Sequence, residues 1–183
     1  MRAFFIGETM INYIVGDLFK LIPYETETKK FICHIVNNAF GFGSGFVVPL
    51  MQKWPITREA YMSLPIQVLG QTQFVKVKEA DPPRYQIDGV DYTQPEYDNI
   101  WVCHMCAQNS TISAKNPKPI KYAALASCMQ QVARVCEAKA GEIWAPMFGS
   151  LRAGGNWNFI EELIDEIWGD FNVTICKYNE NEQ

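Results

Sequence analysis

Several features are absent from this chain, and each absence removes a class of function. No apolar run approaches the roughly 20 residues a membrane-spanning helix needs, so no membrane partner is expected. Basic residues are not clustered: Lys and Arg number 16 against 20 Asp and Glu, giving a net charge of −4 and a pI near 5.2. A duplex-binding surface neutralises many phosphates with grouped Lys and Arg, so no such surface is expected. The only basic cluster, Lys115 to Lys121, is interrupted by Pro117 and Pro119 and reads as a loop. At the N-terminus, Phe4, Phe5 and Ile6 meet Gly7 and Glu8 too soon for a secretory signal. Histidine is scarce, with only His34 and His104. Six cysteines are scattered through apolar segments, which fits reduced, buried thiols in a cytoplasmic protein better than a disulfide framework.

What is present suffices for one globular domain spanning residues 1–183. Apolar residues make up 48% of the chain and charged residues 20%, an ordinary globular balance. Phe4 to Ile6 and Met10 to Val15 read as short strands, and Gly16-Asp17-Leu18-Phe19 breaks the second. Phe31 to Val36 is continuously apolar, which predicts a central strand covered on both faces. A helix over Phe46 to Lys53 stops at Trp54-Pro55, and Thr57 is placed to N-cap a short helix through Met62. Gln71 to Lys78 and Ile100 to Cys106 read as strands, with a loop or hairpin over Ala80 to Pro95 between them. Tyr122 to Cys136 has helical spacing of apolar residues, with Gly141 its expected C-cap. A strand follows Gly141. Trp157 to Trp168 is an amphipathic helix, with Ile160 and Ile164 on one face and Glu161, Glu162, Asp165 and Glu166 on the other. Val173 to Tyr178 is a last strand and Asn179 to Gln183 a polar tail. The alternation in the second half predicts a mostly parallel sheet between helical layers.

Two stretches carry the chemistry. Asn37 to Gly45 and Gly149 to Asn156 are glycine-rich, follow apolar strands and run into helices. Free N–H groups at such a turn favour anions, and small residues let a ligand approach the backbone. Ligands of parallel sheets sit at the carboxyl ends of the strands, and two facing backbone cradles suit a diphosphate. Asp17 suits an amine donor such as an exocyclic adenine N–H; it reads equally as a turn residue bonded to its own backbone. Cys103, His104 and Cys106 do not make a zinc site. The two cysteines point to opposite faces of a strand, and no second pair completes four ligands.

The order of Gly16-Asp17-Leu18-Phe19, then Ile35-Val36-Asn37 with Gly43 and Gly45 and a helix ending at Trp54-Pro55, then Pro146, Gly149 and Ala153-Gly154-Gly155-Asn156-Trp157, resembles a macrodomain. The likeness spans nearly the whole chain. It points to the branch of ADP-ribose 1''-phosphate phosphatases and terminal ADP-ribose protein glycohydrolases. It implies a three-layer α/β/α fold with a mixed, mostly parallel sheet. Asp17 would then hold the adenine N6 with Leu18 beside it, and Asn37 would reach the distal ribose. Gly43, Ser44, Gly45 and Phe46 would form one phosphate loop, and Gly149, Ser150, Leu151, Arg152 and Ala153 the other. Tyr178 would cover the adenine, or else serve as a core-edge tyrosine.

The departures shape the expected activity. The glycohydrolase branch has a lysine after the strand that here ends in Gln108, and the phosphatase-like pattern ends it in glutamine. Asn156 stands where relatives have aspartate; it caps a helix as well but cannot act as a general base. Leu151-Arg152 replaces Gly-Leu in the second loop, and Arg152 reads either as a contact to a terminal phosphate or as a solvated loop residue. The expected activity is removal of phosphate from ADP-ribose 1''-phosphate, by a water that Asn37 orients with help from His104 or Gln108. A non-catalytic ADP-ribose reader, and a hydrolase acting on ADP-ribosylated protein or nucleic acid, are the alternatives. No cofactor and no metal are expected, and the chain is expected to be a monomer in the cytoplasm, or in the host cytoplasm if viral. Thiol titration of denatured, non-reduced protein is expected to find all six cysteines free; fewer would contradict the reducing setting.

Overall fold

The computed structural model describes residues 11–77, 84–93 and 99–178. The strand expected at Phe4 to Ile6, the tail from Asn179 and parts of the Ala80 to Pro95 segment lie outside them. In chain order the elements are β1 (Ile11–Val15), α1 (Leu18–Leu21), β2 (Lys30–Asn37), α2 (Val47–Lys53), α3 (Ile56–Ser63) and β3 (Thr72–Lys76). There follow β4 (Arg84–Ile87), β5 (Val90–Thr93), β6 (Ile100–Gln108), α4 (Tyr122–Ala138), β7 (Glu142–Pro146), α5 (Trp157–Trp168) and β8 (Val173–Lys177). β4 and β5 form a separate antiparallel hairpin.

The other strands form one sheet in the order β1-β8-β7-β2-β6-β3. All neighbours run parallel except β3, which is antiparallel to β6. The apolar run of β2 sits inside this sheet because both of its faces are covered. Phe31 and Cys33 pack with Leu125, Met129 and Val132 of α4 and Ile160, Ile164 and Trp168 of α5. Ile32 and Val36 pack on the opposite face with Leu18, Leu50, Trp54 and Tyr61 of the α1–α3 layer. The result is the expected three-layer α/β/α arrangement with a mixed, mostly parallel sheet. All six cysteines are buried, unpaired thiols.

Two helix boundaries differ from expectation, for local reasons. α3 is capped by Pro55 in helical conformation rather than by Thr57, since proline is preorganised for a helix start and has no N–H to satisfy. Thr57 is buried one step inside, and its hydroxyl donates to the Trp54 carbonyl at 2.7 Å. At the end of α4 the left-handed residue is Ala140, with φ of 49°, and not Gly141. Glycine is needed at 141 for space: a Cβ there would lie 2.5 Å from the Phe31 ring and 3.0 Å from the Lys29 carbonyl oxygen. α5 matches its expected bounds. Asn156 caps it by accepting from the Asn158 N–H at 2.9 Å.

Gly141→Ala is therefore expected to lower stability by about 1–3 kcal/mol, the usual cost of forcing atoms into a packed core. Urea unfolding of the two proteins measures this. An unchanged midpoint would mean that Phe31 moves aside freely.

Candidate ligand-binding site

Because β1, β8, β7, β2 and β6 are parallel, their carboxyl ends share one edge of the sheet. Along that edge lie, in order, Asp17 after β1, Tyr178 after β8, the second glycine loop after β7, Asn37 and the first glycine loop after β2, and Gln108 at the end of β6. Gly16 N–H donates to Lys177 C=O at 2.9 Å, which fixes Asp17 and Tyr178 at the same end.

The first loop is built by side chains within it. Asn37 Oδ1 accepts from the Ala39 N–H at 3.0 Å and the Gly41 N–H at 2.9 Å, and Nδ2 donates to Gly41 C=O at 2.8 Å. Tyr61, fully buried, donates its hydroxyl to the Asn37 carbonyl at 2.5 Å. Phe42 is driven into the core and packs on Tyr61 and His104 with ring centroids 5.0 and 5.5 Å away. Phe46 packs on Phe19 and His34 at 5.3 and 5.5 Å. Between these two anchors Gly43, Ser44 and Gly45 stay exposed.

The backbone N–H groups of Gly43, Ser44, Gly45 and Phe46 donate to no other described residue. The same holds for Gly149, Leu151, Arg152 and Ala153 in the second loop. Backbone donors are almost always paired inside a protein, so these two runs of unpaired N–H groups, exposed at Gly43, Ser44, Gly45, Leu151 and Arg152, form an anion-receptive surface. The loops face one another: a Cβ built on Gly45 would lie 3.1 Å from Arg152 Cδ. Gly45 has φ of +75° and Gly149 +79°, a region that L side chains rarely adopt. Gly149 and Gly155 also have no room, since a Cβ on either would meet atoms at 2.9 Å or closer. Ser150 donates its hydroxyl to Met147 C=O at 3.2 Å, bracing the loop from within.

Asp17 caps α1, with Oδ1 accepting from the Phe19 N–H at 2.9 Å. It is half-buried, Leu18 is buried beneath it, and Tyr178 is 65% exposed. At the other end Asn37 and Gln108 are partners across β2 and β6, just past an irregularity at Val36 and Asn37. Gln108 Nε2 donates to Ser110 C=O at 3.1 Å.

His104 is not at the mouth. It lies four residues before the end of β6, roughly 13 Å at strand rise, and is 1% exposed. Its Nε2 bonds the Thr57 carbonyl at 2.9 Å, so that nitrogen carries the proton. Its Nδ1 then accepts from His34 Nε2 at 2.6 Å. Both rings are neutral in this arrangement. Burial, opposed by the Thr57 contact, pushes His104 down to about 4, and burial followed by the neighbouring His104 pushes His34 well below its usual value. The expectation of a catalytic His104 fails on this geometry, because strand periodicity gives the face of a side chain and not its depth.

The sequence also missed the support of the first loop. Tyr61 carried no signal beyond its place in a short helix. Asn38 was visible only as half of an Asn-Asn pair; it accepts from the Ser110 N–H at 2.7 Å and donates to Asn109 Oδ1 at 3.1 Å. These bonds tie the exits of β2 and β6 together.

The three-layer domain thus carries two glycine loops with unpaired N–H groups side by side at its strand ends. No protein-family model and no curated protein matches the sequence. Among solved structures, a Bacteroides thetaiotaomicron protein is 30% identical, with 92% of this chain and 99% of that one covered and a TM-score of 0.72. A macrodomain protein from Streptomyces coelicolor is 24% identical over 94% of this chain and all (100%) of its own, with a TM-score of 0.65. A mutant Oceanobacillus iheyensis macrodomain solved with ADPR is 12% identical over 95% of this chain and 89% of its own, with a TM-score of 0.56. The chain has the macrodomain fold.

The histidine pair sets a pH dependence. An unfolded histidine takes up a proton near 6.5, whereas folded His104 does so near 4. Stability is therefore full above pH 6.5 and falls as pH drops through this window, by on the order of 2 kcal/mol between pH 7 and 5 for one such group. Urea unfolding at the two pH values, in wild type and His104→Leu, tests this. Equal slopes in both proteins would exclude His104 as the cause.

Proposed function

We propose that the chain binds ADP-ribose in an extended pose along the strand-end edge. The observation that carries this reading is the order of features there, which is the order of groups along the ligand. The Asp17 and Tyr178 end suits the adenine, with the carboxylate accepting from N6. The two facing rows of unpaired N–H groups suit the diphosphate. Gln108, at the exit of β6 beside Asn37, suits the distal ribose. The ADPR-bound Oceanobacillus relative supports the ligand class. The same surface serves free ADP-ribose or the ADP-ribose of a modified macromolecule.

Removal of phosphate from ADP-ribose 1''-phosphate is the second reading. It is favoured by Gln108 standing beside Asn37 at the distal end. Asn37 acts here through the loop it shapes, since both ends of its side-chain amide are already bonded. Phosphate release that disappears in Gln108→Ala supports this reading, and no release leaves binding alone.

At about a hundredfold excess over the dissociation constant, ADP-ribose is expected to add about 2.7 kcal/mol, or roughly 5–10 °C of melting temperature for a chain of this size. Gly43 is the informative position. A Cβ there meets nothing within 4 Å and needs no unusual φ, unlike Gly45. Gly43→Val is therefore expected to melt as wild type does without ligand and to lose the ligand-induced shift. A Gly43→Val protein with a full shift would place the ligand elsewhere.

A further inference from the structure

The chain is acidic overall, yet its edge around the second glycine loop is not. Residues 108–121 contain Lys115, Lys118 and Lys121 and no carboxylate, and residues 147–156 contain Arg152 and no carboxylate. All four cations are exposed. The lysine segment is fastened to the second loop: Ile120 N–H donates to Ala153 C=O at 3.1 Å. Gly154 sits so close that a Cβ there would lie 2.3 Å from the Pro117 carbonyl oxygen. Arg152 reaches the other way, across the gap between the loops. A Cβ on Gly45 would lie 3.1 Å from its Cδ and 3.3 Å from its Nε. Its side chain forms no hydrogen bond or ion pair with any described residue.

We propose that Arg152 is a phosphate clamp, a cation carried on one glycine loop and laid over the other so that it closes on the diphosphate held between them. This rests on the ADP-ribose reading of the same site. A solvated loop arginine extends into water, whereas this one packs its stem on a glycine of the opposite loop. The missing Cβ at Gly45 makes that approach possible. A guanidinium presents a planar fork of donors that matches two phosphate oxygens at once. The N–H rows below supply the remaining donors, and the lysine rim raises the local concentration of anions. The clamp thus favours diphosphate-bearing ligands over uncharged nucleosides.

The test is calorimetric titration of wild type, Arg152→Leu and Arg152→Lys with ADP-ribose, ADP-ribose 1''-phosphate and inorganic pyrophosphate, with melting curves as a check on folding. Arg152→Leu is expected to melt as wild type does and to bind ADP-ribose and pyrophosphate about tenfold more weakly or worse. Arg152→Lys is expected to restore only part, because a point charge lacks the fork. Binding of both by Arg152→Leu within twofold of wild type overturns the clamp. A distinctly larger loss for ADP-ribose 1''-phosphate than for ADP-ribose overturns its assignment to the diphosphate. Pyrophosphate bound through Arg152 without any binding of ADP-ribose sustains the clamp and removes the ADP-ribose reading. Wild type that binds neither removes both.

Discussion

The site depends on β2 being buried on both faces. The neighbours of β2, β6 and β7, run parallel to it, as strands joined by crossovers do, and parallel neighbours end together. The glycine loops face each other because the strands that feed them, β2 and β7, are adjacent. Where β2 runs out of apolar residues, the Asn37 amide takes over three hydrogen bonds that a sheet neighbour would otherwise supply. Phe42 and Phe46 then return to the core. The small residues between them stay outside because they have nothing to bury. The position of the anion surface is thus a by-product of aromatic packing beneath it.

Polar groups inside this core stitch layers together. Lys30 starts β2 fully buried, with Nζ donating to Thr26 Oγ1 at 2.5 Å and Thr28 C=O at 2.9 Å. Burial lowers its pKa, as expected for an ammonium removed from water. The His34, His104 and Thr57 chain ties α3 to the centre of the sheet. Since Tyr61 of α3 also braces Asn37, the histidines support the first glycine loop from below. A buried polar atom without a hydrogen bond, His34 Nδ1, remains at the end of this chain.

The large features were legible because they follow from composition at fixed periods. β2 was visible as an apolar run interrupted by His34 alone, α5 as a stripe of Trp157, Ile160 and Ile164, and the two loops as glycines between apolar segments. What was not legible depends on distance rather than pattern. Gly141 looked like a cap, but its reason is a Phe31 ring that lies 110 residues away in sequence. Thr57 looked like a cap because threonine often is one, yet Pro55 two residues earlier already provided the start. His104 looked catalytic because its strand leads to the site, and strand period says nothing about how far along the strand the mouth begins. The crossing of Arg152 over Gly45 joins two loops more than a hundred residues apart, and no local signal encodes it.

The chemistry of the mouth also decides what kind of work it can do. The groups described there are backbone N–H donors, the neutral amide of Gln108, and cations at Arg152 and along the lysine segment. Donors and cations stabilise an anion that arrives already formed, and they distinguish ligands by charge and shape. They do not take a proton from water. Asp17, the carboxylate described at this edge, stands across the loops at the opposite end, and Asn156 fills the cap position of α5. The two histidines, the side chains best suited to proton transfer at neutral pH, are turned inward and held neutral.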